Sequence, residues 1–272
     1  MNPLCDNLQA IVDRELPRKP TDDKSHFGHV LVVGGESGIS GAVRLAGEAA
    51  ARAGGGLVSV ATRKDHAAII SAAVPELMCQ GVENIADLLP MLKRASVVAV
   101  GPGLGQSPWA QSLLGLLLQS HLPMVVDADA LNLLAAEPMK KDNWILTPHP
   151  GEAARLLGQT VEDVQSDRIV AAEGLQKKYG GVVVLKGAGT VVVNSDGIVG
   201  ICKEGNPGMA TGGMGDVLTG VIAGLLAQGV SLSQAARLGV CLHARAGDLA
   251  AEEGQRGLLA SDLFPFIRRL LG

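Results

Sequence analysis

GNPGMATGGMGDVLTGVIAGLLAQG, residues 205–229, decides how this chain is read. Five glycines fall within the eleven residues 205–215, and one carboxylate, Asp216, then opens a long apolar helical pattern. Each glycine costs roughly 0.5–1 kcal/mol relative to alanine in chain entropy, so their density implies backbone amides that come close to something. A glycine turn feeding a helix start presents unpaired N–H donors and the positive end of the helix dipole. Together these attract anions, phosphate above all. Asp216 in that first turn is placed to accept a proton beside the phosphate. Aspartate is also a favoured helix cap, and for a lone Asp the cap is the default reading; the motifs described below reverse it.

The surrounding 272 residues suffice for a complete core in one long domain or two short ones. No low-complexity linker or fixed-period repeat divides them, so 1–272 is expected to form one domain, with 1–27 as a leader segment. Hydrophobic residues make up 47% but only six are aromatic, so the core must be aliphatic. A net charge of −4 without any basic run argues against nucleic acid as a partner. The longest uncharged stretch, 217–236, is broken by Gln228, Gly229 and serines, and reads as buried helix and loop, not a membrane span. The first residues, MNPLCDNLQAIVDREL, contain no apolar signal region. Cys5, Cys79, Cys202 and Cys241 lie far apart with no CxxC, and read as reduced thiols of a cytoplasmic protein.

Short β-branched runs alternate with alanine- or leucine-rich segments, the pattern of βαβ units around a mostly parallel sheet. Strands are expected at 30–33, 57–61, 97–100, 124–126, 144–146 and 182–185, then a hairpin at 190–194 and 198–202 turned by Ser195, Asp196 and Gly197. Helices fit 41–53, 85–94, 109–119, 152–157, 164–179, 216–227, 232–252 and 263–271. The near-continuous apolar strands imply a sheet with helices on both faces. Residues 18–26, rich in charge, read as a mobile entry to the first strand.

In open α/β sheets ligands bind beyond the carboxyl ends of the strands, and five motifs fall at such ends. The first strand runs into Gly34, Gly35 and GISGA (38–42), a close-approach turn or simply tight strand–helix packing. It has neither GxGxxG nor P-loop spacing. GPGLGQ (101–106) is a second such loop. DADALN (127–132) sets two carboxylates two apart, suited to ordering Mg²⁺ waters or to capping the next helix, with the cap favoured. TPHPGE (147–152) holds His149 between prolines, either structural or facing a ligand. LKGAGT (185–190) offers Lys186 to a phosphate charge, where a solvated strand-end lysine is the plainer reading, and the glycines beside it favour phosphate.

With TPHPGE, KGAGT and NPGMATGGMGD assembled, the chain resembles the ADP-dependent NAD(P)H-hydrate dehydratase family, of ribokinase-like fold, from about Gly28 to the C-terminus. The resemblance implies a three-layer α/β sandwich and a metabolite-repair enzyme that returns the (6S)-hydrates of NADH and NADPH to NAD(P)H, converting ADP to AMP and phosphate. Asp216 matches the carboxylate that accepts the hydroxyl proton. The amides of Gly213, Met214 and Gly215 match the anion hole. Lys186, Gly187, Ala188, Gly189 and Thr190, with Gly215, match the adenine nucleotide site. Ala42, Gly103 and His149 match positions lining the hydrate pocket, with Asp216 reaching both ligands. The resemblance further implies Mg²⁺ with ligands unassigned, a homotetramer and a separate hydrate epimerase. The 27 residues before the first strand are too few for a fused one. An ordinary carboxylate pKa near ~3.9 leaves Asp216 ionised at neutral pH, and that value is expected here.

Two alternatives remain. A ribokinase-like vitamin or sugar kinase also suits a glycine turn followed by aspartate, but it would keep its phosphorylated product. A non-catalytic nucleotide sensor would have no use for Asp216.

Overall fold

The computed structural model describes residues 4–272. The β-branched runs form strands as their pattern requires: β1 (His29–Val33), β2 (Leu57–Thr62), β3 (Met78–Gly81), β4 (Val97–Val100), β5 (Met124–Val126), β6 (Trp144–Leu146), β7 (Val182–Leu185), β8 (Thr190–Asn194) and β9 (Gly197–Cys202). They make one sheet in the order β3-β2-β1-β4-β5-β6-β7-β8-β9. Pairing is parallel from β3 through β7, and the β8–β9 hairpin closes the far edge antiparallel. The edge strand β3 is absent from the sequence reading because Met-Cys-Gln-Gly carries no β-branched run.

Helices α1 (Leu8–Glu15), α2 (Ser40–Arg52), α3 (Lys64–Ala73), α4 (Ile85–Leu92), α5 (Pro108–Leu118), α6 (Ala128–Ala136), α7 (Pro150–Leu157), α8 (Val161–Ser166), α9 (Arg168–Tyr179), α10 (Met214–Ala227), α11 (Leu232–Ala250) and α12 (Leu263–Leu271) cover it. The single helix expected over 164–179 is two, broken at Asp167, whose side chain caps α9 by accepting from Val170 N–H at 3.0 Å. Nor is 18–26 a loose entry. Arg18 stacks 4.0 Å from the Phe27 ring, and Asp23 caps a short 3₁₀ turn over Lys24–Phe27.

Alternate residues of the central strands feed two aliphatic cores, one on each face. Val30, Val32, Ala99 and Val125 pack with α2, α10 and α11. Leu31, Val33, Val98 and Val126 pack toward α5, α6 and α9, where Trp109, Trp144 and Tyr179 are also buried. This is the three-layer sandwich expected of βαβ patterning. Helix α10 is buried nearly all round, and glycines let it approach α2. A Cβ at Gly220 would lie 2.7 Å from Ala49 Cβ, and one at Gly224 2.9 Å from Ala53 Cβ. The close crossing sets the start of α10 beside the first turns of α2.

Cys5 and Cys241 form a disulfide with a Cα–Cα distance of 5.3 Å, and Cys202 Sγ lies 3.4 Å from Cys5 Sγ. The expectation of four reduced thiols is therefore wrong for this pair, and it carries no argument for a reducing compartment. The two residues are 236 apart in sequence, and only the seating of the N-terminal segment on α11 and β9 brings them together. Among the described residues no helix is long and apolar enough to cross a membrane.

Candidate active site

Strand order reverses between β1 and β4, and at such a switch point the two following loops part to leave a crevice. Both loops here are glycine-rich and stitched together: Gly35 N–H donates to Pro102 O at 3.1 Å and Glu36 N–H to Gly103 O at 2.6 Å. A Cβ at Gly103 would lie 2.7 Å from Ile39 Cγ2 and 3.2 Å from Ala42 Cβ. Ala42 and Gly103, named from different motifs, thus share one wall. Ile39 beside them is an exposed apolar side chain.

The same end of the sheet carries the charged groups. Asp127 follows β5, yet neither it nor Asp129 caps α6. Asp127 is buried; its Oδ1 accepts from Lys186 Nζ at 2.6 Å and its Oδ2 from Thr219 Oγ1 at 2.8 Å. Asp129 Oδ2 accepts from Gly105 N–H at 2.8 Å. Capping, favoured on sequence, loses to partners just after β7 and on α10 that the sequence could not show. The next residue, Ala128, has φ +47, a left-handed conformation costly for alanine and sustained here by its surroundings.

His149 serves as the N-cap of α7. Its Nδ1 accepts from Gly151 N–H at 2.9 Å and Glu152 N–H at 3.3 Å, while Glu152 returns a bond from His149 N–H at 2.7 Å. The side chain is still 56% exposed, with Nε2 3.4 Å from Glu152 Oε1. Glu152, missed on sequence, is buried with Oε2 3.8 Å from Lys186 Nζ. The loop from Lys186 to Thr190 is closed by Thr190 Oγ1 donating to Gly187 O at 2.9 Å. Arg168 of α9 pins it from behind, donating to the carbonyls of Leu185 and Lys186 at 3.0 Å.

Gly213 stands at the N-cap of α10 with φ +91 and no side chain caps the helix, so the first-turn amides of Met214, Gly215 and Asp216 lack helical partners. Met214 and Gly215 belong to the expected set 213–215, and Asp216 adds its own amide. A Cβ at Gly215 would lie 3.3 Å from Lys186 Nζ, and one at Gly213 2.6 Å from Leu45 Cδ1 of α2. The turn thus joins the ammonium of Lys186 on one side to Leu45 of α2 on the other. Ala188 lies within the loop between them; Met214 points its side chain into the core.

The family model described as NAD(P)H-hydrate dehydratase matches residues 30–269. The chain belongs to the NAD(P)H-hydrate dehydratase family. It is 57% identical over 258 residues to the bifunctional NAD(P)H-hydrate repair enzyme Nnr of Coxiella burnetii, covering 94% of this chain and 53% of that protein. It is 41% identical to the ADP-dependent (S)-NAD(P)H-hydrate dehydratase of Neisseria meningitidis, covering 93% and 88%. The crystal structure of the ADP/ATP-dependent NAD(P)H-hydrate dehydratase from Bacillus subtilis, co-crystallised with ATP and Mg²⁺, matches with a TM-score of 0.84 at 30% identity over 96% and 95% of the two chains. The chain spans about half the length of the bifunctional curated relatives it matches. The ribokinase-like fold expected of the dehydratase family is present.

Burial and close charges set the electrostatics of this crevice. Burial pushes the Asp216 carboxyl up to about 7, Asp127 adds to the rise, and Lys186 opposes it. This overturns the expectation of an ordinary pKa, because a helix N-terminus does not offset burial among three other carboxylates. Burial likewise raises Glu152 to about 7 against the pull of Lys186. Burial works against the Lys186 ammonium, but Asp127 and Glu152 outweigh it and hold its pKa above the ordinary value. Burial and Lys186 lower His149, keeping its imidazole neutral. Among the described residues no group of three or more His, Cys, Asp or Glu side chains is arranged to hold a metal ion. A second hollow of about 610 Å³, lined by Arg18, Arg52, Gln228 and Arg268, lies at the opposite end of α10. That helix is 14 residues long, or about 21 Å, so the hollow is remote from the chemistry.

Proposed function

We propose that this chain, acting as one domain, is an ADP-dependent dehydratase of the (6S)-hydrates of NADH and NADPH. One observation carries the reading. Asp216, half-buried and titrating near neutrality, sits on the same open helix turn whose Gly215 faces the Lys186 ammonium. A proton acceptor and a phosphoryl cradle on one turn serve phosphorylation of a hydroxyl.

Asp216 takes the proton of the hydrate hydroxyl as its oxygen attacks the β-phosphorus of ADP, and AMP leaves. The amides of Met214, Gly215 and Asp216, with Lys186, hold the transferred group. Phosphoryl transfer asks mainly for positioning and charge stabilisation, which this rigid donor set supplies. Hydroxide leaves poorly, whereas phosphate leaves readily. The ring nitrogen's lone pair expels it, and loss of a proton from the adjacent ring carbon restores the dihydronicotinamide. The loop Lys186–Gly187–Ala188–Gly189–Thr190 receives the adenine nucleotide, and Ala42, Gly103 and His149 line the hydrate pocket. Mg²⁺ touches few protein carboxylates and keeps several waters. It would come as a companion of the nucleotide phosphates and would neutralise their charge, with Glu152 the carboxylate nearest Lys186 after Asp127. The family resemblance adds a cytoplasmic homotetramer working with a hydrate epimerase.

The test is the near-ultraviolet absorbance of reduced nicotinamide in a mixture of protein, NADH hydrate, Mg²⁺ and ADP, then with ATP. A rise with ADP matched by AMP release is expected. A rise with ATP alone overturns the donor. A stable phosphorylated product without reduced nicotinamide points to the small-molecule kinase.

A further inference from the structure

The turn that carries Asp216 is fastened at its far end by α11, through a residue that touches none of the reacting groups. Asp248 Oδ2 accepts from Gly205 N–H at 2.9 Å, and its Oδ1 accepts from Asn206 Nδ2 at 2.9 Å. The same Asn206 amide donates to Gly247 O at 3.0 Å, and Asn206 Oδ1 accepts from Gly208 N–H at 3.0 Å. Asn206 therefore spends every polar atom of its side chain on holding the backbone. Met209 then packs so tightly on α11 that a Cβ at Gly247 would lie 2.7 Å from Met209 Cε.

At the near end, Gly213 rests against Leu45 of α2 and Ala260, where a Cβ would lie 2.6 and 3.1 Å away. Between the two fixed points the chain makes only a 3₁₀ turn over Pro207–Met209, and Ala210 and Gly212 are exposed. A segment with so little regular structure takes its path from its ends. Misplacing a reacting group by about 1 Å costs on the order of a hundredfold in rate, so the ends matter to the chemistry.

We propose that Asp248, acting through Asn206, is a positioning residue for phosphoryl transfer: it sets the start of the glycine turn so that the amides of Met214–Asp216 face Lys186. The catalytic readout rests on the dehydratase reading above; the structural readout does not. In Asp248→Asn one acceptor becomes a donor facing another donor. In Asn206→Asp a carboxylate faces Asp248. Exchanging both, Asn206→Asp with Asp248→Asn, restores a donor–acceptor pair between the two positions and an acceptor for Gly205, sacrificing only the bond to Gly247.

The experiment measures hydrogen exchange of the peptide spanning 205–216, together with kcat and KM for the hydrate, in the full chain and these three variants. Each single variant is expected to speed exchange across 205–216 and lower kcat at least about tenfold, with KM for the hydrate within about twofold. The exchanged pair is expected to recover kcat to within about threefold of the parent. Exchange unchanged in both single variants overturns the clamp. Faster exchange with kcat unchanged overturns its catalytic role, as does a double variant no better than the worse single one, which marks a merely structural contact. If the parent protein does not dehydrate the hydrate, the functional reading fails alone, and the exchange data still decide whether Asp248 holds the turn.

Discussion

Lys186 Nζ lies 2.6 Å from Asp127 Oδ1, and the other oxygen of that carboxylate is held by the Thr219 hydroxyl of α10 at 2.8 Å. Side chains from the ends of β5 and β7 and from the second turn of α10 thereby form one unit beneath the glycine turn. Its ammonium is 17% exposed and its carboxylate 2%, so neither charge has water to fall back on. Asp127→Asn alone is expected to destabilise the fold by about 3 kcal/mol, because an ammonium is left poorly paired. Adding Lys186→Met to that variant is expected to restore most of the stability and none of the activity. Urea unfolding midpoints and turnover, measured on the same samples, separate the two effects.

Asp216→Asn removes the proton acceptor and leaves the donors of the turn in place. Turnover is expected to fall at least about a hundredfold, while ADP affinity by calorimetry stays within about threefold, since the amides and Lys186 are untouched. Unchanged kcat would sink the assignment of Asp216 as base.

The raised carboxyls give the pH dependence a definite sign. Asp216 accepts a proton only when ionised, so kcat/KM is expected to rise with pH through about 7. Glu152 titrates in the same range, and the profile belongs to the pair. In stability the sign is opposite. Asp216 holds its proton up to about 7 when folded but only to its ordinary 3.8 when unfolded. Its protonated form contributes stability that is lost as pH rises through about 7. Asp216→Asn has no such slope, so its Tm advantage over the parent should grow between about pH 4 and pH 7 and level off above. A constant difference across that range would refute the buried carboxyl.

Gly103→Ala strikes the other half of the site. The position has φ +56, and its Cβ would press on Ile39 and Ala42. KM for the hydrate is expected to rise about tenfold while KM for ADP stays unchanged. A rise in the ADP constant instead would place the hydrate pocket elsewhere.

Much of this was legible along the chain. Val97–Val100, Met124–Val126, Trp144–Leu146 and Val182–Leu185 are strands to the residue, because a parallel strand covered on both faces reads as a short continuous apolar run. The loops after them announced themselves by glycine and proline, with Lys186 and His149 standing out within them, and Asp216 stood out behind the glycine turn that opens α10. Glu152 was hidden because Glu three residues after a cap looks like ordinary helix-start chemistry, which it also performs. Arg168 and Thr219 were hidden because each acts on a residue of another element.

By itself the sequence determined the alternation of strand and helix, the placing of glycine and charge at the strand ends, and the glycine turn that feeds α10. These follow from backbone propensity, period and turn residues within a few positions. Tertiary structure alone decided that Asp127 braces Lys186 instead of capping α6, that Cys5 meets Cys241, and that Asp216 titrates near neutrality. Such properties belong to pairs far apart in the chain and to the loss of water around them, and neither distance nor burial is written in local sequence.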